Sequence, residues 1–204
     1  MIAWRKKSAA RIALVAGLFV VYGNSALGQQ GEIVLEFAPA KTTVNFTLDA
    51  DFHTVHGAFN LKHGQVRYNP ASGSARGEIV VDATSGRSGN NARDSRMHRE
   101  ILESARYPEI AFRPDRVEGK VEPTGSSSVQ VHGTFQVHGA SHEVTIPAQV
   151  ELAADHWTAT LHFEIPYVKW GIKNPSNFFL HVSQSVAIDV HADGMNPWGE
   201  NAPK

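Results

Sequence analysis

Histidine is the residue type in this chain best supplied for chemistry, with eleven among 204 residues, each able to ligate a metal or move a proton near neutral pH. Their spacing argues against a metal. Two ligands on one strand share a face only at i and i+2, and His-x-His does not occur. His53 and His56 stand three apart and point to opposite faces of a regular strand. His132 and His162 fall on polar faces, where they either meet across strands or serve as ordinary surface groups. His142-Glu143 lacks the second histidine of a zinc-protease helix. Cysteine is absent, which removes thiolate nucleophiles, sulfur metal sites and disulfides. Gly-x-Ser-x-Gly and the phosphate-cradling Gly-x-x-x-x-Gly-Lys are also missing, and Ser85 and Ser88 sit in a Gly-rich loop with no evident base. The reading is a protein that is not an enzyme, with no catalytic residue, no metal and no cofactor.

The net charge is -1, from 19 basic and 20 acidic residues, so no long-range field draws the chain to nucleic acid. The N-terminus supplies an address instead. Arg5, Lys6, Lys7 and Arg11 precede the apolar stretch Ile12 to Val21, and Ala26-Leu27-Gly28 offers small residues where a signal peptidase cuts. The apolar run is about half of the ~20 residues that span a bilayer. The expectation is a cleaved secretory signal over 1–28, a domain over 29–193, and a flexible tail over 194–204. Cleavage near Gly28 would leave no stable membrane span and place the protein in the periplasm or outside the cell.

What positions any site is a series of strands with period-two alternation. Val44, Phe46 and Leu48 alternate with polar residues, as do Val55, Gly57, Phe59 and Leu61. The pattern continues through Val129, Val131, Phe135 and Val137, through Val144, Ile146, Ala148, Val150 and Leu152, and through Trp157, Ala159, Leu161, Phe163 and Ile165. A last strand is read over Phe178, Leu180, Val182, Val186, Ile188 and Val190. Pro147, on the polar face, marks an edge or a bulge. Turn signals at Asn69-Pro70, Ser72-Gly73, Pro123 to Gly125, His138-Gly139 and Asn174-Pro175 divide the chain into eight to ten strands.

One short amphipathic helix interrupts them, read over Asp94 to Ser104, with Met97 and Ile101 on one face and Asn90, Asn91 or Asp94 as its cap. So small a helix cannot cover eight one-sided strands, so the sheet covers itself as a sandwich or a closed barrel. The fold class is therefore all-β, antiparallel, of about eight strands with one helix at one end. A barrel of that size is either filled by side chains or open to one ligand. Val44, Phe46, Leu48, Phe59, Phe112, Phe135, Leu161 and Phe163 are inward candidates, and with no regular group of buried charges among them any guest would be apolar. The alternative is a structural or stress-related envelope protein with a filled core and no ligand.

Five segments resemble the YceI-like family of polyisoprenoid-binding periplasmic proteins. They are Val55-His56-Gly57-Ala58-Phe59; Gly77 to Ser85; Arg93-Asp94-Ser95-Arg96-Met97 followed by Tyr107-Pro108-Glu109-Ile110-Ala111-Phe112; Val131 to Gly139; and Val144-Thr145-Ile146-Pro147. The resemblance runs from about Val34 to Ala192. The resemblance implies a lipocalin-like barrel of eight antiparallel strands whose lumen takes an isoprenoid lipid, a quinone or a polyprenyl chain. The lumen would include Ile79, Val81, Met97, Ile101 and Trp170 beside the inward candidates, and Arg93 and Asp94 would cap the helix or greet a headgroup at the entrance. Trp170 and Lys169 stand where many members carry Phe and Asp, which would reshape the mouth. A homodimer is compatible with this reading.

Overall fold

The computed structural model describes residues 31–195. The expected signal segment and the tail beyond Met195 lie outside the described residues. Nine strands follow in chain order: β1 (Ile33–Phe37), β2 (Thr42–Ala50), β3 (His53–Tyr68), β4 (Ala75–Arg87), β5 (Glu109–Glu118), β6 (Gly125–Val137), β7 (Ala140–Leu152), β8 (His156–Ile165) and β9 (Val186–Met195). All their pairings are antiparallel, in the order β1-β3-β2-β9-β8-β7-β6-β5-β4, and β4 returns to pair with β3. Strands β2 to β9 thus close an eight-stranded barrel. The short β1 pairs with the second half of β3, Ile33 opposite Tyr68, while β2 pairs with its first half, Val44 opposite Phe59.

Closure removes the sheet edge that would otherwise invite pairing with another chain. It also explains the alternation, because each inward residue leaves water while its neighbours remain in it. Pro147 sits where this closure is interrupted. β7 pairs with β6 over its full length but with β8 only from Ala148 onward, so the residue that cannot donate a ladder bond lies where one flank has no strand partner.

Two expected elements are revised. The last strand begins at Val186, not near Phe178. Residues 174–185 form a loop, in which the Asn177 carboxamide accepts from the Phe179 and Leu180 backbone N–H groups at 2.9 and 3.0 Å and the Asn174 carboxamide accepts from Ser176 N–H at 2.8 Å. Side-chain bonds of this kind compete with a strand ladder and bend the chain. At its other end β9 runs through Gly194 and Met195, two residues into the segment read as tail. The helix starts earlier than Asp94: α1 spans Asn91–Arg96 and continues as one π-helical turn, Met97–Ile101.

Buried side chains run along the whole barrel, and two sets of them pack into clusters toward its ends. One cluster, Leu152, Trp157, Ala159 and Ala192, closes the end beside the β7–β8 turn. The other, Phe135, Val137, Ile165, Tyr167 and Ile172, lies at the helix end.

Candidate functional site

Between the two clusters the barrel is hollow. The lumen has a volume of about 640 Å³, within the usual range of ligand pockets. β8 runs ten residues along its wall; at ~3.3 Å per residue and a tilt near 40° the lumen is roughly 25 Å deep. Trp157 is 1% exposed and forms the blind end, its ring edge-on to Phe37 at 5.0 Å. At the opposite end His53 and Ala92 are the only exposed residues of the wall among those described. The mouth therefore lies between the β2–β3 hairpin, α1 and the 174–185 loop.

Val44, Phe46, Leu48, Phe59, Ile79, Val81, Met97, Ile101, Phe112, Phe135, Leu161 and Phe163 all line this lumen. Trp170 does not. It stacks on His142 at 4.1 Å, nearly parallel, and packs on Phe135 at 5.8 Å. There it covers the gap left where β7 and β8 do not pair. The i, i+2 logic of strands carried no information about it, because it stands in a turn.

Arg93 and Asp94 are not caps. Asn90 caps α1, its side-chain oxygen accepting from Arg93 N–H at 3.0 Å. Arg93 and Asp94 instead converge on Ser88. Arg93 donates to Ser88 Oγ at 2.7 Å and to its carbonyl at 2.8 Å, and Asp94 accepts from Ser88 N–H at 2.9 Å and from its hydroxyl. These bonds tie the loop before the helix to the helix itself. Arg93 also forms part of the lumen wall, as does Arg96, while Asp94 does not. Arg93 and Arg96 therefore stand where the apolar wall meets the helix, with the guanidinium of Arg93 bonded to Ser88 and that of Arg96 to Glu100.

His98, which no sequence motif singled out, holds the π turn: its ring contacts Ser104 Oγ at 3.0 Å and the Gly86 carbonyl at 2.9 Å. Gly86 must lack a side chain, since a Cβ there would overlap the Phe59 ring and approach Met97 Cε to 2.8 Å. In the Val55 to Phe59 segment a Cβ on Gly57 would likewise fall into the Phe46 ring. Both glycines make room for the lumen aromatics beneath the helix, Phe46 and Phe59, whose rings lie 5.4 Å apart.

The other histidines are dispersed. His132 and His162 do not meet, because β7 lies between their strands. His132 contacts Thr145 Oγ1 at 2.8 Å and Glu118 at 3.2 Å, and His162 contacts Asp189 at 2.7 Å. The His132 ring beside it holds the Glu118 carboxyl below its usual range. Among the described residues no three His, Asp or Glu side chains are placed to share a metal ion.

A blind barrel with an apolar lumen and a helical rim matches a known domain. The YceI-like domain aligns with residues 35–193. This chain belongs to the YceI-like family. A UPF0312 protein of Vibrio parahaemolyticus is 24% identical over 145 residues, covering 69% of this chain and 75% of the relative. Among solved structures, BcnA of Burkholderia cenocepacia superposes with a TM-score of 0.67 at 18% identity, covering 78% of this chain and 99% of BcnA. A polyisoprenoid binding domain from Saccharophagus degradans, implicated in plant cell wall breakdown, gives 0.58 at 17% identity and covers 82% of this chain and 100% of that domain. At these identities the likeness establishes the shared barrel.

Proposed function

We propose that this YceI-like protein is a non-catalytic carrier of a long isoprenoid lipid, of quinone or polyprenyl type, held in the barrel lumen. The observation that carries the proposal is the hollow between the two core clusters: a side-chain-filled barrel would have none. The wall is hydrocarbon from Trp157 to Met97, and each buried methylene contributes roughly 0.8 kcal/mol, so a polyisoprene tail has strong reason to leave water for it. Arg93 and Arg96 at the mouth suit a polar head left near the surface. The Saccharophagus neighbour, named for polyisoprenoid binding, supports the same ligand class. The N-terminal pattern of Arg5 to Gly28 favours an exported protein acting in the periplasm.

Native mass spectrometry of the exported protein, purified without detergent, tests the reading when followed by organic extraction. The expected result is a one-to-one adduct that releases an isoprenoid. An apo mass that also refuses added quinone and polyprenol would overturn it.

A further inference from the structure

A carrier whose guest lives in a bilayer must bring its mouth to one. Four large apolar side chains are strongly exposed among the described residues: Phe52 at 81%, Phe178 at 90%, Phe179 at 81% and Met195 at 82%. Single exposed apolar residues need no explanation, but clustered ones mark a contact surface. Three of the four stand at the mouth. Phe52 tips the β2–β3 hairpin, and Phe178 and Phe179 tip the 174–185 loop with their rings edge-to-face at 5.1 Å.

The two tips are one unit. Asp51 N–H donates to the His181 carbonyl at 3.1 Å, His181 N–H donates to the Asp51 carboxylate at 3.0 Å, and Ser183 N–H donates to the Asp49 carbonyl at 2.8 Å. Leu180 and Val182 of the same loop, and Ala50 of the hairpin, line the lumen. The exposed aromatic rings are thus continuous with the apolar wall through the mouth.

Across the mouth the helix side of the rim is basic. Arg96 and Lys173 share one carboxylate, Glu100, at 3.4 Å each, and Arg99 bonds to the neutral Ser95 hydroxyl at 2.6 Å. With Arg93, four cations face two acids, Asp94 and Glu100, along this arc. Aromatic tips beside a cationic arc fit a phospholipid surface, where rings settle at the level of the headgroups and guanidinium groups meet phosphates.

We propose that Phe52, Phe178 and Phe179 dock the mouth onto a phospholipid bilayer, so that the lipid passes between membrane and lumen without crossing water. The proposal uses the carrier reading for its purpose, but its contact with the bilayer stands apart from it. A second copy of the chain is the competing occupant of the patch. The bilayer is favoured because the patch borders the lumen opening, and a dimer sealed there would close the mouth to a guest.

Flotation with vesicles of phosphatidylethanolamine and a minor share of phosphatidylglycerol tests it on the wild-type protein and on the Phe52→Ser, Phe178→Ser, Phe179→Ser variant. Each substitution is expected to lower vesicle partitioning about tenfold, equivalent to ~1.4 kcal/mol. Binding of an apolar fluorophore supplied without vesicles should be unchanged, which separates a lost dock from a lost fold. As a second measurement, Phe179→Trp should shift its emission to the blue on the same vesicles. Wild-type partitioning by the triple-serine variant, or a wild-type dimer that dissociates in it, would overturn the proposal. Vesicle binding by a protein that takes up no lipid would leave the dock standing and remove the carrier function instead.

Discussion

Side chains that face the lumen are of two kinds, and the difference is open to mutation. Trp157 fills the blind end against Phe37, Leu152, Ala159 and Ala192, so truncating it leaves a cavity that its neighbours only partly close. Trp157→Ala is expected to lower stability by about 3–5 kcal/mol, read as a fall in the urea midpoint. Leu161 is only partly buried and faces the hollow. Leu161→Trp would enter space already there, so it should change stability by less than ~1.5 kcal/mol while abolishing the lipid adduct in native mass spectra. A destabilisation of several kcal/mol would instead mean that the residue already packs against the opposite wall.

At the scale of elements, α1 has no buried residue and is held to the rim by its bonds to Ser88 and by the Asn90 cap, while His98 holds the π turn that follows. Loss of an N-cap weakens a helix by ~1 kcal/mol, a factor of about five in its opening. Asn90→Ala should therefore release an apolar lumen probe about fivefold faster by stopped flow and raise amide exchange over 91–101, with the global unfolding midpoint nearly unchanged. The strands were legible in the sequence because inward positions such as Val44, Phe46 and Leu48 must be apolar whether they touch a neighbour or a guest. For the same reason the alternation could not tell a filled barrel from a hollow one. Phe178, Leu180 and Val182 imitated a strand because their spacing continues into Val186, while the bonds from Asn174 and Asn177 that bend the loop carry no periodic signature. The helix start was blurred by three competing caps, and the π turn is held by the bonds of His98 to the Gly86 carbonyl and the Ser104 hydroxyl, which leave no periodic signature in the sequence. Trp170 was placed in the lumen by its position in a family turn, but the unpaired flank of β7 gives it a different neighbour, His142.

For the molecule as a whole, the surface ion pairs are exposed and contribute little, so a pH dependence of stability must come from groups that folding removes from water. Tyr167, 6% exposed at the mouth end, and Tyr68, 6% exposed toward the blind end, are two such groups. Burial raises the ionisation of both phenols, that of Tyr167 to about 12, and Tyr167 also donates its hydroxyl proton to the Ser183 carbonyl at 2.5 Å. Folding thus favours the neutral phenol. In the unfolded chain each tyrosine ionises near its ordinary value of about 10, so above that pH the unfolded state binds fewer protons and stability falls. The stabilisation is complete below pH ~10 and is lost between there and about pH 12. Denaturant titrations across that interval should show a steep decline for the wild type and a shallower one for the Tyr68→Phe, Tyr167→Phe variant, which has no phenols at these two sites. Lysines and the half-buried Tyr107 are common to both proteins, so the difference between the curves isolates the buried pair. Equal slopes would mean that neither phenol is held neutral by the fold, and that the two ends of the barrel admit water.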